Sequence, residues 1–183
     1  MKIGLILFVA VVIVGNSFSQ NIDPPSPGKS VVYFVRPSAL GFAINFSYFD
    51  STKLIGRFNA GKYVRYECEP GKHLFWARSE NRDFMTADLL PDKVYFLEGQ
   101  PRMGALKAGV NLAQIDPSNP KEMKRVLKLI GKKSPESFDA ARLTDDSADL
   151  QDAIARGMEK YNSDKAKGKS VQSLDRSKYY NKP

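Results

Sequence analysis

From residue 30 to residue 115 the chain is a series of short runs of β-branched and aromatic residues cut apart by glycine and proline, which leaves little room for a helix. The first run, residues 30–36, is stopped by Pro37, which cannot donate to a β-ladder. The second, residues 42–49, sets Phe42, Ile44, Phe46 and Tyr48 against Ala43, Asn45 and Ser47, the period of a half-buried strand. Asp50-Ser51-Thr52-Lys53, Asn59-Ala60-Gly61 and Glu69-Pro70-Gly71 supply corners, because proline presets φ and glycine accepts positive φ. Further runs follow at residues 54–58, 62–68, 72–78, 84–89, 94–98 and 109–115. This pattern predicts a mainly β fold, an antiparallel β-sandwich of seven or eight short strands over residues 30–116.

The grammar changes at Asp116. Asn119 is placed to cap a helix, Pro120 suits its first turn and Glu122 falls three residues after the cap. Met123, Val126, Leu127 and Ile130 recur at helical spacing before Gly131. A second helix is expected over about residues 145–161, with Asp145, Asp146 and Asp149 at its start and an apolar stripe of Leu150, Ala153, Ile154, Met158 and Tyr161. Residues 117–161 thus read as a helical C-terminal extension. Residues 162–183, rich in Lys, Ser and Asp, read as a disordered basic tail.

At the other end, the apolar stretch of residues 3–14 is too short to cross a bilayer, which needs about 20 residues. With Ser17 and Ser19 after it, residues 1–19 read as a signal peptide, followed by a Pro-rich lead-in over residues 20–29. The expected location is periplasmic or extracellular, not integral to the membrane after cleavage. Residues 20–120 carry 12 bases and 10 acids, residues 121–183 carry 15 and 10, so the positive charge lies in the helical and tail region. That imbalance raises an anionic membrane surface as one partner, while no base-reading motif points to nucleic acid.

One cysteine and one histidine rule out an intramolecular disulfide, a cysteine-based metal site and a multi-histidine site. No metal and no other cofactor is expected. Asp145-Asp146-Ser147-Ala148-Asp149 lacks the glycine and terminal glutamate of a calcium loop. No G-x-S-x-G elbow accompanies His73, which follows the Pro70-Gly71 corner and reads as a turn histidine bonded locally. Cys68 lies five residues earlier across that turn and reads as a buried thiol. The expectation is therefore no catalytic residues, with a small hydrolase using His73 as the alternative.

Exposed aromatics are the stronger lead. In residues 72–78, His73, Phe75 and Ala77 alternate with Leu74 and Trp76, so both strand faces are apolar near Trp76. The face outside the core is either covered by the 123–130 helix or open as a platform for a sugar ring or a protein. Trp76, Arg78 and Arg36 form the candidate partner surface, for a protein or glycan of the cell envelope. Gly61, Pro70, Gly71 and His73 are the candidate structural turn residues.

The stretches Val31-Val32-Tyr33-Phe34-Val35-Arg36-Pro37, Asn59-Ala60-Gly61-Lys62-Tyr63 and Glu69-Pro70-Gly71-Lys72-His73 resemble the bacterial domain-of-unknown-function family twenty-eight forty-six. The Ala-Gly-Lys-Tyr and Pro-Gly-Lys-His pieces are also similar to PEGA-type modules of bacterial surface proteins. The resemblance covers about residues 28–116. It implies a small β-sandwich in exported or lipid-anchored proteins without an established activity. Many members look like lipoproteins, and no acylated cysteine follows the signal region here. Arg36 matches the Arg-Pro of the family, either as a binding residue or as a strand-end arginine tying down a loop carboxylate.

Overall fold

A computed structural model describes residues 22–103, 108–137 and 147–181. The expected signal peptide, the start of the lead-in, the acidic pair Asp145-Asp146 and the last two residues of the tail lie outside the described residues. The described strands are β1 (Ser30–Val35), β2 (Phe46–Asp50), β3 (Lys53–Phe58), β4 (Tyr63–Cys68), β5 (Gly71–Arg78), β6 (Arg82–Leu89), β7 (Val94–Met103), β8 (Ala108–Gln114) and β9 (Gln172–Ser173). The described helices are α1 (Pro120–Ile130) and α2 (Ser147–Ala166).

Two mixed sheets face each other, one ordered β4-β1-β7-β8 and the other β3-β2-β5-β6-β9. The alternation read from the sequence sets the core between them. Val32 and Phe34 of the first sheet meet Tyr48 and Phe75 of the second, with Phe34 edge-on to Phe75 at 5.5 Å. The pairings are antiparallel except β1 with β7 and β6 with β9. The first exception arises because the chain crosses to the other sheet after β4 and returns in β7 beside β1, running the same way. One close approach fixes a glycine: a Cβ on Gly99 would lie 2.0 Å from the Tyr48 hydroxyl.

β1 is buried at all its positions. Val32 and Phe34 enter the core between the sheets, whereas Val31, Tyr33 and Val35 lie beneath α1. That is why its sequence is a continuous apolar run rather than an alternating one. Asn119 caps α1 as its spacing predicts, its side chain accepting from the backbone N–H groups of Lys121 and Glu122. Met123, Val126 and Leu129 are the buried positions, with Leu127 and Ile130 packed at the margin, and Arg125 reaches the buried Glu98 at 3.4 Å.

α2 covers the opposite outer face. Ile154, Leu150, Met158 and Tyr161 pack on Phe49, Trp76 and Phe84. The protein is thus a helix–sheet–sheet–helix stack, and no described helix is long and apolar enough to cross a membrane.

The tail departs from its reading. α2 continues to Ala166, β9 adds to the edge of the second sheet, and Leu174, 4% exposed, enters the core. Tyr180 then bridges Val94 and sets its ring edge-on to Phe96 at 5.9 Å, while Tyr179 packs near Tyr95. Residues 162–181 are therefore ordered, not free. Three apolar anchors in a polar background supply burial that average composition conceals. The 42–49 run is also shorter as a strand than its alternation suggested, because residues 42–45 form a loop and Phe42 is 72% exposed.

Candidate functional site

The structure separates the three residues of the candidate surface. Trp76 is fully buried, stacked on Phe49 at 3.9 Å and donating from its indole N–H to the Ser51 carbonyl at 2.8 Å. Its cover is α2, not the 123–130 helix, so the open aromatic platform is corrected to a packed interface. Arg36 is 1% exposed. Its guanidinium donates to the carbonyls of Ile44, Phe58 and Gly41 and lies over the Phe46 ring at 3.8 Å. The strand-end arginine does tie down a loop, but through backbone carbonyls and not through the expected loop carboxylate. Arg78 alone stands exposed.

The turn residues have local tasks. Gly61 and Gly71 take φ of 75° and 106°, values that favour glycine. Pro70 leads into β5. His73 is wedged between two acceptors, with Nδ1 2.7 Å from Oδ2 of Asp50, Nε2 2.8 Å from the Glu69 carbonyl, and its ring stacked on Phe75. The Asp50 carboxylate also accepts from the Tyr66 hydroxyl at 3.0 Å. The hydrogen bond to Asp50, followed by the contact with Cys68, pushes the imidazole pKa up to about 10. Burial, then the same carboxylate, pushes the Tyr66 phenol up as well. Cys68, His73 and Asp50 are thus brought together, but as an imidazolium donating from both nitrogens His73 has no lone pair with which to accept a thiol proton.

This arrangement has a pH signature. The folded state holds the His73 proton more tightly than an unfolded histidine, whose pKa is 6.5. The stabilisation is complete below that value and vanishes as pH rises through about 10. His73→Gln is expected to cost about 2–4 kcal/mol at pH 6, somewhat less than breaking a fully buried ion pair because this one is part-buried. Denaturant unfolding of both proteins between pH 6 and pH 10.5 checks it. A gap that stays constant over that interval refutes the assignment.

The surface site lies one row beyond the patch that α2 covers. Register pairs Ser47 with Arg57 on one side and Arg78 on the other, and Arg78 with Arg82. Strand side chains alternate, so this row shares its face with Phe49, Trp76 and Phe84, two residues further along each strand. Between the row and the first turn of α2 opens a cleft of about 470 Å³. Ser47, Phe49 and Leu54 line the sheet side and Leu150 the helix side, with Arg57 and Arg78 at the wall. Glu80 and Asp149 also face it.

The two halves of the arginine row differ in compensation. Arg82 adjoins the Asp152–Arg156 ion pair, and its guanidinium is held below the usual value by burial and then by Arg78 and Arg156. Among the described ion pairs none includes Arg57 or Arg78. Sequence reasoning found Arg78 but missed Arg57, Ser47 and Phe49. The available signal was the alternation of β2, which puts Ser47 and Phe49 on the face opposite Phe46 and Tyr48. No family model matches the chain, and no curated protein matches it.

Proposed function

We propose that this chain is an exported, non-catalytic β-sandwich module that binds a protein or glycan component of the cell envelope. The observation that carries the reading is the cleft between α2 and the second sheet, walled by two arginines without ion-pair partners among the described residues. Its dimensions suit a small ligand or one residue of a polymer, and its lining, more polar than apolar, suits a polar one. Export rests on the apolar stretch and small residues of positions 3–19. The turn motifs that resemble the family named above support a sandwich of exported bacterial proteins.

The hydrolase alternative loses support from the doubly donating His73. Docking of the basic C-terminal region on anionic lipid loses support too. Lys160 and Lys169 pair with Asp164, Arg176 pairs with Asp88 and Lys178 with Asp116, so part of that charge is already answered.

Ser47→Trp fills the cleft from its floor. Retention of envelope glycan and protein fractions on the immobilised chain is expected to fall about tenfold in this variant, the effect of losing about 1.4 kcal/mol. Unfolding should stay unchanged. Equal retention by both proteins would refute the cleft as the binding surface.

A further inference from the structure

Two guanidinium groups flank a single serine in the cleft. Arg57 and Arg78 are each the register partner of Ser47, on opposite sides of β2. Strand spacing puts their backbones about 9.6 Å apart, within reach of a common point for side chains of this length. Next to them Arg78 faces Arg82 directly across β5 and β6, a like-charge cross-strand pair that destabilises a sheet. The row thus carries a concentration of positive charge that Asp152 offsets at Arg78 and Arg82, while no ion pair among the described residues includes Arg57 or Arg78.

We propose that the cleft binds a phosphate group between Arg57 and Arg78, above Ser47. This rests on the cleft being the binding surface and adds the chemical class of what enters it. A guanidinium presents a planar fork of donors, and a carboxylate holds its acceptors in one plane, whereas forks from two strands approach from different directions. The three or four oxygens of a phosphate accept from both forks at once, with the Ser47 hydroxyl as a further donor from the floor.

The remaining lining restricts the rest of the ligand. Glu80 and Asp149 repel a second anionic group and accept from hydroxyls. Leu54, Phe49 and Leu150 give an apolar surface beside them. A polyanion such as nucleic acid is disfavoured, and a single phosphate on a hydroxyl-bearing body is favoured, as in a phosphorylated sugar. A lipid headgroup offers the same phosphate chemistry from a membrane surface.

The test titrates the full chain with inorganic phosphate and with glucose 1-phosphate, at ionic strength matched by chloride, and follows backbone amides by NMR. A third arm measures binding to phosphatidylglycerol vesicles. Saturable shifts at Ser47, Arg57 and Arg78 are expected, with affinity about tenfold weaker in the double variant Arg57→Gln/Arg78→Gln, because charge-assisted contacts are lost. Saturation by the soluble probes assigns a free phosphate ester. Saturation by vesicles alone, lost in the double variant, assigns a headgroup. Absence of saturation by all three probes, or saturation that the double variant leaves unchanged, overturns the proposal. If Ser47→Trp abolishes envelope retention while no phosphate probe binds, the ligand class falls and the cleft stands as a binding surface. If retention survives Ser47→Trp while phosphate saturates at the arginines, the site stands and its envelope role falls.

Discussion

Replacing Arg36 with alanine is expected to destabilise this protein by about 3–5 kcal/mol, from carbonyls that lose their donor and a void left in the packing. The side chain is 1% exposed, and it is the donor to the carbonyls of Ile44, Phe58 and Gly41. Those carbonyls belong to the 36–45 connection and the end of β3, and the Gly41 carbonyl also accepts from the Ile44 N–H. Removing the guanidinium takes this donor from the carbonyls of Ile44 and Phe58, at a cost of about 1–3 kcal/mol each where water does not enter. It also opens a void beside Phe46, whose ring the guanidinium covers. Arg36→Lys should recover less than half of the loss, because one ammonium does not span three divergent carbonyls. Urea unfolding gives the magnitude, and limited proteolysis within residues 37–45 reports whether the loop is released. A loss below about 1 kcal/mol for the alanine variant would refute the anchoring role.

Trp76 carries the second large effect. Its indole stacks on Phe49 within 9° of parallel, lies near Phe84 and donates to Ser51, so Trp76→Ala is expected to cost about 3–5 kcal/mol. Gly157 gives the discriminating variant. A glycine inside a helix is about 1 kcal/mol worse than alanine, so by propensity alone Gly157→Ala should stabilise α2. A Cβ at that position would instead lie 2.5 Å from Cη2 of Trp76, an atom of a rigid buried ring. The net change is expected to be destabilising by about 1–3 kcal/mol, the range for overpacking. Because the chain has one tryptophan, its fluorescence reads the docking of α2 directly. A red shift under native conditions is expected for Gly157→Ala, and an unshifted spectrum with raised stability would show that α2 accommodates the methyl.

The strands were legible wherever apolar residues alternate between corners that only glycine or proline fills easily. Phe46 and Tyr48 point to the core as their spacing requires, and Asn119 caps α1 because its short side chain reaches two backbone N–H groups. Alternation failed at Phe42 and Ile44, where loop and strand share the same spacing and Arg36, at the end of the preceding strand, holds the loop. The tail was misread for a similar reason. Leu174, Tyr179 and Tyr180 are sparse in their own neighbourhood, and their partners Tyr95 and Phe96 lie far away in the chain.

The candidate site divides along the same line. Arg78 was singled out beside Trp76, but nothing local linked it to Arg57. That link is made by Ser47 of β2, which pairs with both strands.

What the amino-acid order determined alone was the set of short strands, their two-sided character and the capped first helix, because these depend on side-chain period and backbone preference within a few residues. Which helix covers which sheet, which arginine is buried and which remains exposed, and the placing of Arg57 and Arg78 on either side of Ser47 were decided only on folding. Those outcomes depend on contacts between residues far apart in the chain, and such contacts exist only once both sheets have formed and each outer face has taken its helix.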